Sequence, residues 1–187
     1  MKTVILDRDG VINKNPPNNS YVCNWKDFAF LHNSQKAIKK LTDYGYDIFI
    51  ATNQAGIGRG LFSQKQLAEI HRQMLIEIEK TGGQIKKIYF CPHHPKENCV
   101  CRKPKPGMLM RASHEYNFNI SETFFIGDSI SDIQAAHTAG ASPILVLTGH
   151  GYNAYQHYMN PNLTEKSHKP DRIFTNLYTA SHWILNR

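Results

Sequence analysis

The sequence predicts an α/β fold of three layers: a Rossmann-like parallel sheet flanked by helices, with no large cap domain. Three observations carry this. Short β-rich runs alternate with segments of helical periodicity. The runs are apolar almost throughout, as in strands buried on both faces. Several of them stop abruptly at carboxylates, hydroxyls or amides.

The first run, Thr3 to Leu6, is predicted as a strand. In Ser34 to Tyr44, Ala37, Ile38 and Leu41 fall at helical spacing and Gly45 closes the helix. Asp47 to Ala51 is the second strand. Ser63 and Gln66 then form a capping-box pattern, Leu67, Ile70, Met74 and Ile78 mark one face, and Gly82 ends that helix. Strands over Ile85 to Phe90, Thr123 to Ile126 and Ser142 to Leu147 alternate with helices over Met108 to Tyr116 and Ser131 to Ala139. Gly151 to Lys169, rich in Asn, His and Tyr, is expected to be irregular. Asp171 to Phe174 and Leu177 to Leu185 suggest a last strand and helix. Two stretches break the rhythm, Asn13 to Phe30 and Cys91 to Gly107, and both follow directly on strands. In open parallel sheets, ligands bind beyond the carboxyl ends of the strands.

The 187 residues suit a single domain over 1–187, with the Cys-rich loop 91–101 inside it. Lys and Arg number 22 against 15 Asp and Glu, and the net charge of +7 favours an anionic partner without choosing among nucleic acid, a membrane surface and a phosphorylated metabolite. Val4-Ile5-Leu6 is too short for a secretory signal, and no run approaches the roughly twenty apolar residues of a membrane span, so a cytoplasmic location is expected. Of four cysteines, Cys91, Cys99 and Cys101 cluster while Cys23 stands alone. In a reducing compartment such a cluster points to metal.

Four motifs carry chemistry. In Ile5-Leu6-Asp7-Arg8-Asp9-Gly10, a strand runs into two carboxylates that converge on one small volume. Their repulsion invites a hard cation, with Asp7 as nucleophile and Asp9 as acid and base. A polar turn is the bland alternative, and a calcium loop is disfavoured by Pro16 and Asn18 at its later ligand positions. Thr52-Asn53-Gln54-Ala55-Gly56-Ile57-Gly58-Arg59-Gly60 offers a hydroxyl and backbone N–H groups to phosphate, though it lacks the P-loop lysine. Cys91-Pro92-His93-His94 and Cys99-Val100-Cys101 suit a closed tetrahedral zinc of structural role; a redox pair or unmetallated thiols are the alternatives, and spacing does not separate His93 from His94. Arg102-Lys103 follows directly. Lys103 could neutralise the transferring phosphoryl group while Arg102 holds another anionic part of a substrate. In Phe124-Phe125-Ile126-Gly127-Asp128-Ser129-Ile130-Ser131-Asp132, Asp128 is the natural third magnesium ligand and Asp132, a turn later, a supporting one.

In this order the motifs resemble the haloacid dehalogenase superfamily of phosphotransferases, from Thr3 to about Leu185. The resemblance implies Asp7 as nucleophile, Asp9 as acid and base, Thr52 and Lys103 on the phosphoryl group, and magnesium on Asp7, the backbone carbonyl of Asp9, and Asp128. Within the superfamily the chain is most similar to the heptose-bisphosphate phosphatases, through Thr52 to Gly60 and Cys91 to Met108. That family implies zinc on Cys91, His93, Cys99 and Cys101, and a small phosphorylated sugar from lipopolysaccharide precursor synthesis as substrate. It would be read by Asn13, Asn15, Tyr21, Thr52, Asn53, Gln54, Arg59, Arg102 and Lys103. A monomer with no nucleic-acid or membrane partner is expected. Histidinol-phosphate phosphatases are the rival, a zinc-loop nucleic-acid-binding protein is the alternative from another class, and a polynucleotide 3′-phosphatase is a third. Two departures stand out: the segment from Asn13 to Tyr21 is longer and holds Pro16-Pro17-Asn18-Asn19, and Ser129 replaces a basic residue.

Overall fold

The computed structural model describes residues 2–16, 20–160 and 169–187. Six strands form one sheet: β1 (Thr3–Leu6), β2 (Asp47–Asn53), β3 (Lys87–Cys91), β4 (Phe124–Gly127), β5 (Ser142–Val146) and β6 (Arg172–Phe174). Their order is β3-β2-β1-β4-β5-β6, and every neighbouring pair is parallel. The helices α1 (Ser34–Asp43), α2 (Gln64–Lys80), α3 (Gly107–Tyr116), α4 (Ile130–Ala139), α5 (Gly151–Met159) and α6 (Leu177–Leu185) complete the fold.

Alternation of side chains along a strand explains the continuous apolar runs. Val4 and Leu6 of β1 and Ile48 and Ile50 of β2 face one layer, packed with Ile38 and Leu41 of α1, Ile70 and Met74 of α2, and Ile184 of α6. Ile5, Phe49, Ala51 and Phe125 face the other layer, against Leu109 of α3 and Ala135 and Ala136 of α4. The caps follow the sequence. The Ser63 hydroxyl accepts the Gln66 backbone N–H at 3.2 Å, and the Gln66 side chain accepts the Ser63 N–H at 2.9 Å. Gly45, at φ +76°, supplies the left-handed residue that ends α1.

Element ends shift by a residue or two from expectation, and one segment differs in kind. β3 begins at Lys87 rather than Ile85, although the Lys86 N–H still reaches the Ile48 carbonyl at 2.7 Å. The segment from Gly151, expected to be irregular, forms α5 as far as Met159; residues 161–168 of that segment lie outside the described residues. Its Gly- and Asn-containing sequence is a weak helix former, but Ala154 and Tyr158 pack on Ile133 of α4 and Leu145 of β5, so tertiary burial decides.

The chain steps outward from β1 to β3, then returns to lay β4 on the other side of β1. A parallel sheet opens a crevice at such a reversal, beyond the strand ends. Asp7 and Asp128 sit at the ends of the two strands that flank it. Among the described residues no helix is long and apolar enough to cross a membrane.

Candidate active site

At the end of β1 the Asp7 N–H still bonds the Ile126 carbonyl at 2.9 Å, holding the nucleophile candidate to β4. The chain then turns, and the Arg8 carbonyl accepts N–H bonds from Ile12 and Asn13. The turn buries Arg8 completely. Its Nη2 donates to both Asp9 oxygens at 2.9 Å, and its Nη1 lies 3.1 Å from His71 Nε2 on α2. Asn13 Nδ2 and Gln54 Nε2 each add a bond to Asp9 at 2.8 Å. Burial pushes the Asp9 carboxyl up, but the Arg8 guanidinium and the Asn13 and Gln54 donors outweigh it and hold Asp9 below the ordinary carboxylate range.

Asp7 stands in the opposite condition. Burial pushes it up to about 7 against the pull of Lys103, and the Asp132 and Asp9 carboxylates push the same way. Lys103 Nζ donates to Asp7 at 2.9 Å, to Asp132 at 2.6 Å and to the Ala51 carbonyl at 2.8 Å. Burial would depress this lysine, but Asp132 and Asp7 overcome it and hold it above the ordinary range. Asp128 is raised well above its ordinary value by burial and by the Asp132 and Asp7 charges.

Asp7, Asp128 and Asp132 bring carboxylate oxygens within 4.8 Å of one another. One lysine among three buried carboxylates leaves two negative charges unmatched, the deficit a divalent, oxygen-seeking ion such as magnesium removes. Backbone geometry reserves the space: a Cβ on Gly10 (φ +85°) or Gly149 (φ +57°) would overlap Asp128 Oδ2. The donor set therefore fits magnesium. Asp132 is the most committed of the three, with Oδ1 on Lys103 and Oδ2 accepting the Ser129 N–H and hydroxyl at 3.0 and 2.7 Å. Ser129, which stands in place of a basic residue, is the N-cap of α4.

A cavity of about 270 Å³ opens on this cluster. Of the residues singled out by sequence, Asp7, Asp9, Asn15, Tyr21, Thr52, Asn53, Arg102, Lys103 and Asp128 line it. Asn13, Gln54 and Arg59 do not. Asn13 and Gln54 are fully buried behind Asp9, and Arg59 lies on the exposed turn after the Gly-rich loop. The Thr52 hydroxyl accepts Gln54 Nε2 at 2.9 Å, which leaves its own O–H to donate into the cavity. Asn53 spends its amide on Lys103, accepting its N–H and donating to its carbonyl, both at 3.1 Å. Arg102 Nη1 is buried without a protein partner among the described residues. Pro17, Asn18 and Asn19 of the longer loop lie outside those residues.

The thiol cluster forms where β3 ends. Cys91 Sγ lies 3.4 Å from Cys99 Sγ and 3.6 Å from His93 Nδ1; Cys101 Sγ lies 3.4 Å from Cys99 Sγ and 3.2 Å from His93 Nδ1. A tetrahedron of sulfurs bound at about 2.3 Å has edges of roughly 3.8 Å, so the thiols, 3.4 Å apart, need only open slightly to admit zinc. His94 turns away, its Nδ1 accepting the Lys96 N–H at 3.1 Å, which makes His93 the fourth donor. The Gly58 N–H bonds the Pro92 carbonyl at 2.8 Å, and a Cβ on Gly58 would strike the His94 backbone. The Gly-rich and Cys-rich loops are therefore built against each other.

Sequence reasoning passed over Arg8, His71 and His150. A basic residue between two aspartates reads as solvated, and His71 reads as one position of an amphipathic helix; nothing local announces that the fold joins them. His150 lines the cavity, and its N–H donates to Asp128 Oδ2 at 2.8 Å. The signal for it is Gly149-His150-Gly151, three residues beyond the end of β5.

Known proteins extend this picture. A HAD-hydrolase-like family matches residues 100–180. A D-glycero-beta-D-manno-heptose-1,7-bisphosphate 7-phosphatase of Neisseria meningitidis serogroup A is 44% identical over 188 residues, covering 99% of this chain and 95% of that protein. One of Pseudomonas putida is 40% identical over 151 residues, or 81% of this chain and 85% of its own length. The crystal structure of D,D-heptose 1,7-bisphosphate phosphatase from B. bronchiseptica, complexed with magnesium and phosphate, superposes with a TM-score of 0.91 at 35% identity, covering 100% of this chain and 99% of that one.

Proposed function

This chain belongs to the HAD-like D-glycero-D-manno-heptose-1,7-bisphosphate 7-phosphatase family, and from that premise we propose that it hydrolyses the 7-phosphate of the heptose bisphosphate through a phosphoryl group carried on Asp7. The observation that carries the mechanism is the meeting of Asp7, Lys103, Thr52, Arg102 and Asp128 around one cavity. An Asp7 oxygen attacks phosphorus in line, and the bond from phosphorus to the sugar oxygen breaks. Asp9 gives that oxygen its proton. Asp9, again a carboxylate, then takes a proton from water as the water attacks phosphorus, the bond to Asp7 breaks, and inorganic phosphate leaves.

Lys103 and the Thr52 hydroxyl hold the phosphoryl oxygens through both halves, and Arg102 offers its unpartnered N–H to the substrate. The Arg8 cage suits Asp9 to the second half. In the first, a phosphoryl dianion arriving beside Asp9 raises its affinity for a proton. Magnesium, held by Asp7, Asp128 and the Asp9 carbonyl, would neutralise charge on the transferring group. Zinc on Cys91, His93, Cys99 and Cys101 would hold the loop that presents Arg102 and Lys103. The enzyme would work in the cytoplasm as a monomer, supplying heptose for lipopolysaccharide precursors.

The test is phosphate release, with magnesium, from both anomers of heptose 1,7-bisphosphate, histidinol phosphate and a 3′-phosphorylated oligonucleotide. A heptose bisphosphate is expected to lead by at least about 100-fold in kcat/KM. Preference for histidinol phosphate or the oligonucleotide would overturn the reading.

A further inference from the structure

Behind the catalytic cavity lies a buried polar strut, of which the reaction draws on the Arg8 end and leaves His71 without a role. Arg8 is 0% and His71 8% exposed, and they come from parts of the chain 63 positions apart. Among the described residues, the Arg8 side chain bonds to Asp9 and to His71. A guanidinium has five N–H donors in a rigid plane, so fixing one end of the plane fixes the direction of the other. The Nη2 and Nε edge grips Asp9; the Nη1 end rests on His71 Nε2. His71 is placed to accept. Its ring is neutral, since burial and the adjacent Arg8 charge take its pKa down to about 3, and the proton therefore sits on Nδ1.

We propose that His71 is a positioning residue for the reaction: by accepting the Arg8 Nη1 proton it sets the plane of the guanidinium, and through it the direction in which the Asp9 carboxyl meets the leaving oxygen. The proposal rests on the acid and base role given to Asp9 above. α2 supplies the rigidity, because Ile70 and Met74 on either side of His71 are fully buried in the core. Asn13 and Gln54 hold the Asp9 oxygens from other directions, so loss of His71 tilts the carboxyl without releasing it. The effect belongs to proton transfer and not to binding, since neither Arg8 nor His71 lines the cavity.

Two variants separate this from a packing role. His71→Gln keeps an acceptor of similar reach; His71→Met has nearly the same shape and helix preference but none. Both are compared with wild type, in the magnesium-loaded enzyme, for kcat/KM on the heptose bisphosphate and on p-nitrophenyl phosphate, whose leaving group departs without a proton. His71→Met is expected to lose about 30-fold on the sugar substrate and less than about threefold on the aryl phosphate, with His71→Gln within about threefold of wild type on both. Equal losses on the two substrates, no loss, or a His71→Met protein that does not fold beside a fully normal His71→Gln would overturn the proposal. Wild type inactive toward both substrates would instead overturn the functional reading on which it stands.

Discussion

The carboxylate cluster and the thiol cluster stand at strand ends of one sheet, and each gathers groups that repel one another when ionised. They resolve the repulsion differently. Around Asp7, Asp128 and Asp132 the fold supplies an internal cation, Lys103, and leaves the cavity side open. Around Cys91, His93, Cys99 and Cys101 it supplies no cation among the ligands, and all four donor atoms face inward. An incomplete inner shell with room for a substrate is what a reaction requires; a closed shell is what a scaffold requires.

The largest expected effect breaks the first cluster. Asp7→Asn removes the proposed nucleophile while keeping shape, and phosphate release should fall by at least about 10⁴-fold with magnesium present. Near-normal release would show that the open cluster does not perform the chemistry. Next comes the second cluster: removing the zinc proposed for the thiols, or Cys99→Ala, is expected to raise KM by about 10- to 100-fold with a smaller change in kcat, through misplaced Arg102 and Lys103. Metal content by mass spectrometry, measured with the kinetics, checks it; unchanged kinetics in verified metal-free protein would reduce the thiol loop to a bystander.

The smallest effect sharpens the contrast in charge. Without metal, Asp7 holds its proton up to about pH 7, above the ordinary 3.8. Between those values the folded state binds more protons than the unfolded one, so the contribution of Asp7 to stability is present below about pH 4 and is lost as pH rises through 7. His71, held down to about 3, slopes the other way between pH 3 and 6.5, so the metal-free curve alone mixes the two. Magnesium relieves only the carboxylates. Its Tm gain is therefore expected to be at least about twice as large at pH 8 as at pH 5.5 by differential scanning fluorimetry. A gain independent of pH would mean that the carboxylates are already ionised without metal.

Much of the site was legible in the sequence because parallel strands deliver their chemistry at one edge. Asp7, Thr52 and Asp128 each follow an apolar run, and Lys103 follows a dense run of cysteines and histidines. What stayed hidden depends on distance or on packing. The role of Arg8 is set by His71, and Asn53, expected to face substrate, uses both ends of its amide to clasp Lys103. The helix α5 escaped notice because local preference opposes it and only contact with α4 and β5 secures it.

Separation along the chain has a kinetic consequence. Cys91 and Cys99 are 8 positions apart, whereas Thr148, whose hydroxyl donates to the Gly10 carbonyl beneath Asp128, lies 138 positions from its partner. Loop-closure entropy rises by about 0.6 kcal/mol for each doubling of length, so the longer closure is disfavoured by roughly 2.5 kcal/mol relative to the shorter. The thiol ring can close soon after its own residues are made. The floor of the carboxylate site waits for nearly four fifths of the polypeptide, and until then the emerging chain holds a finished scaffold and no catalyst.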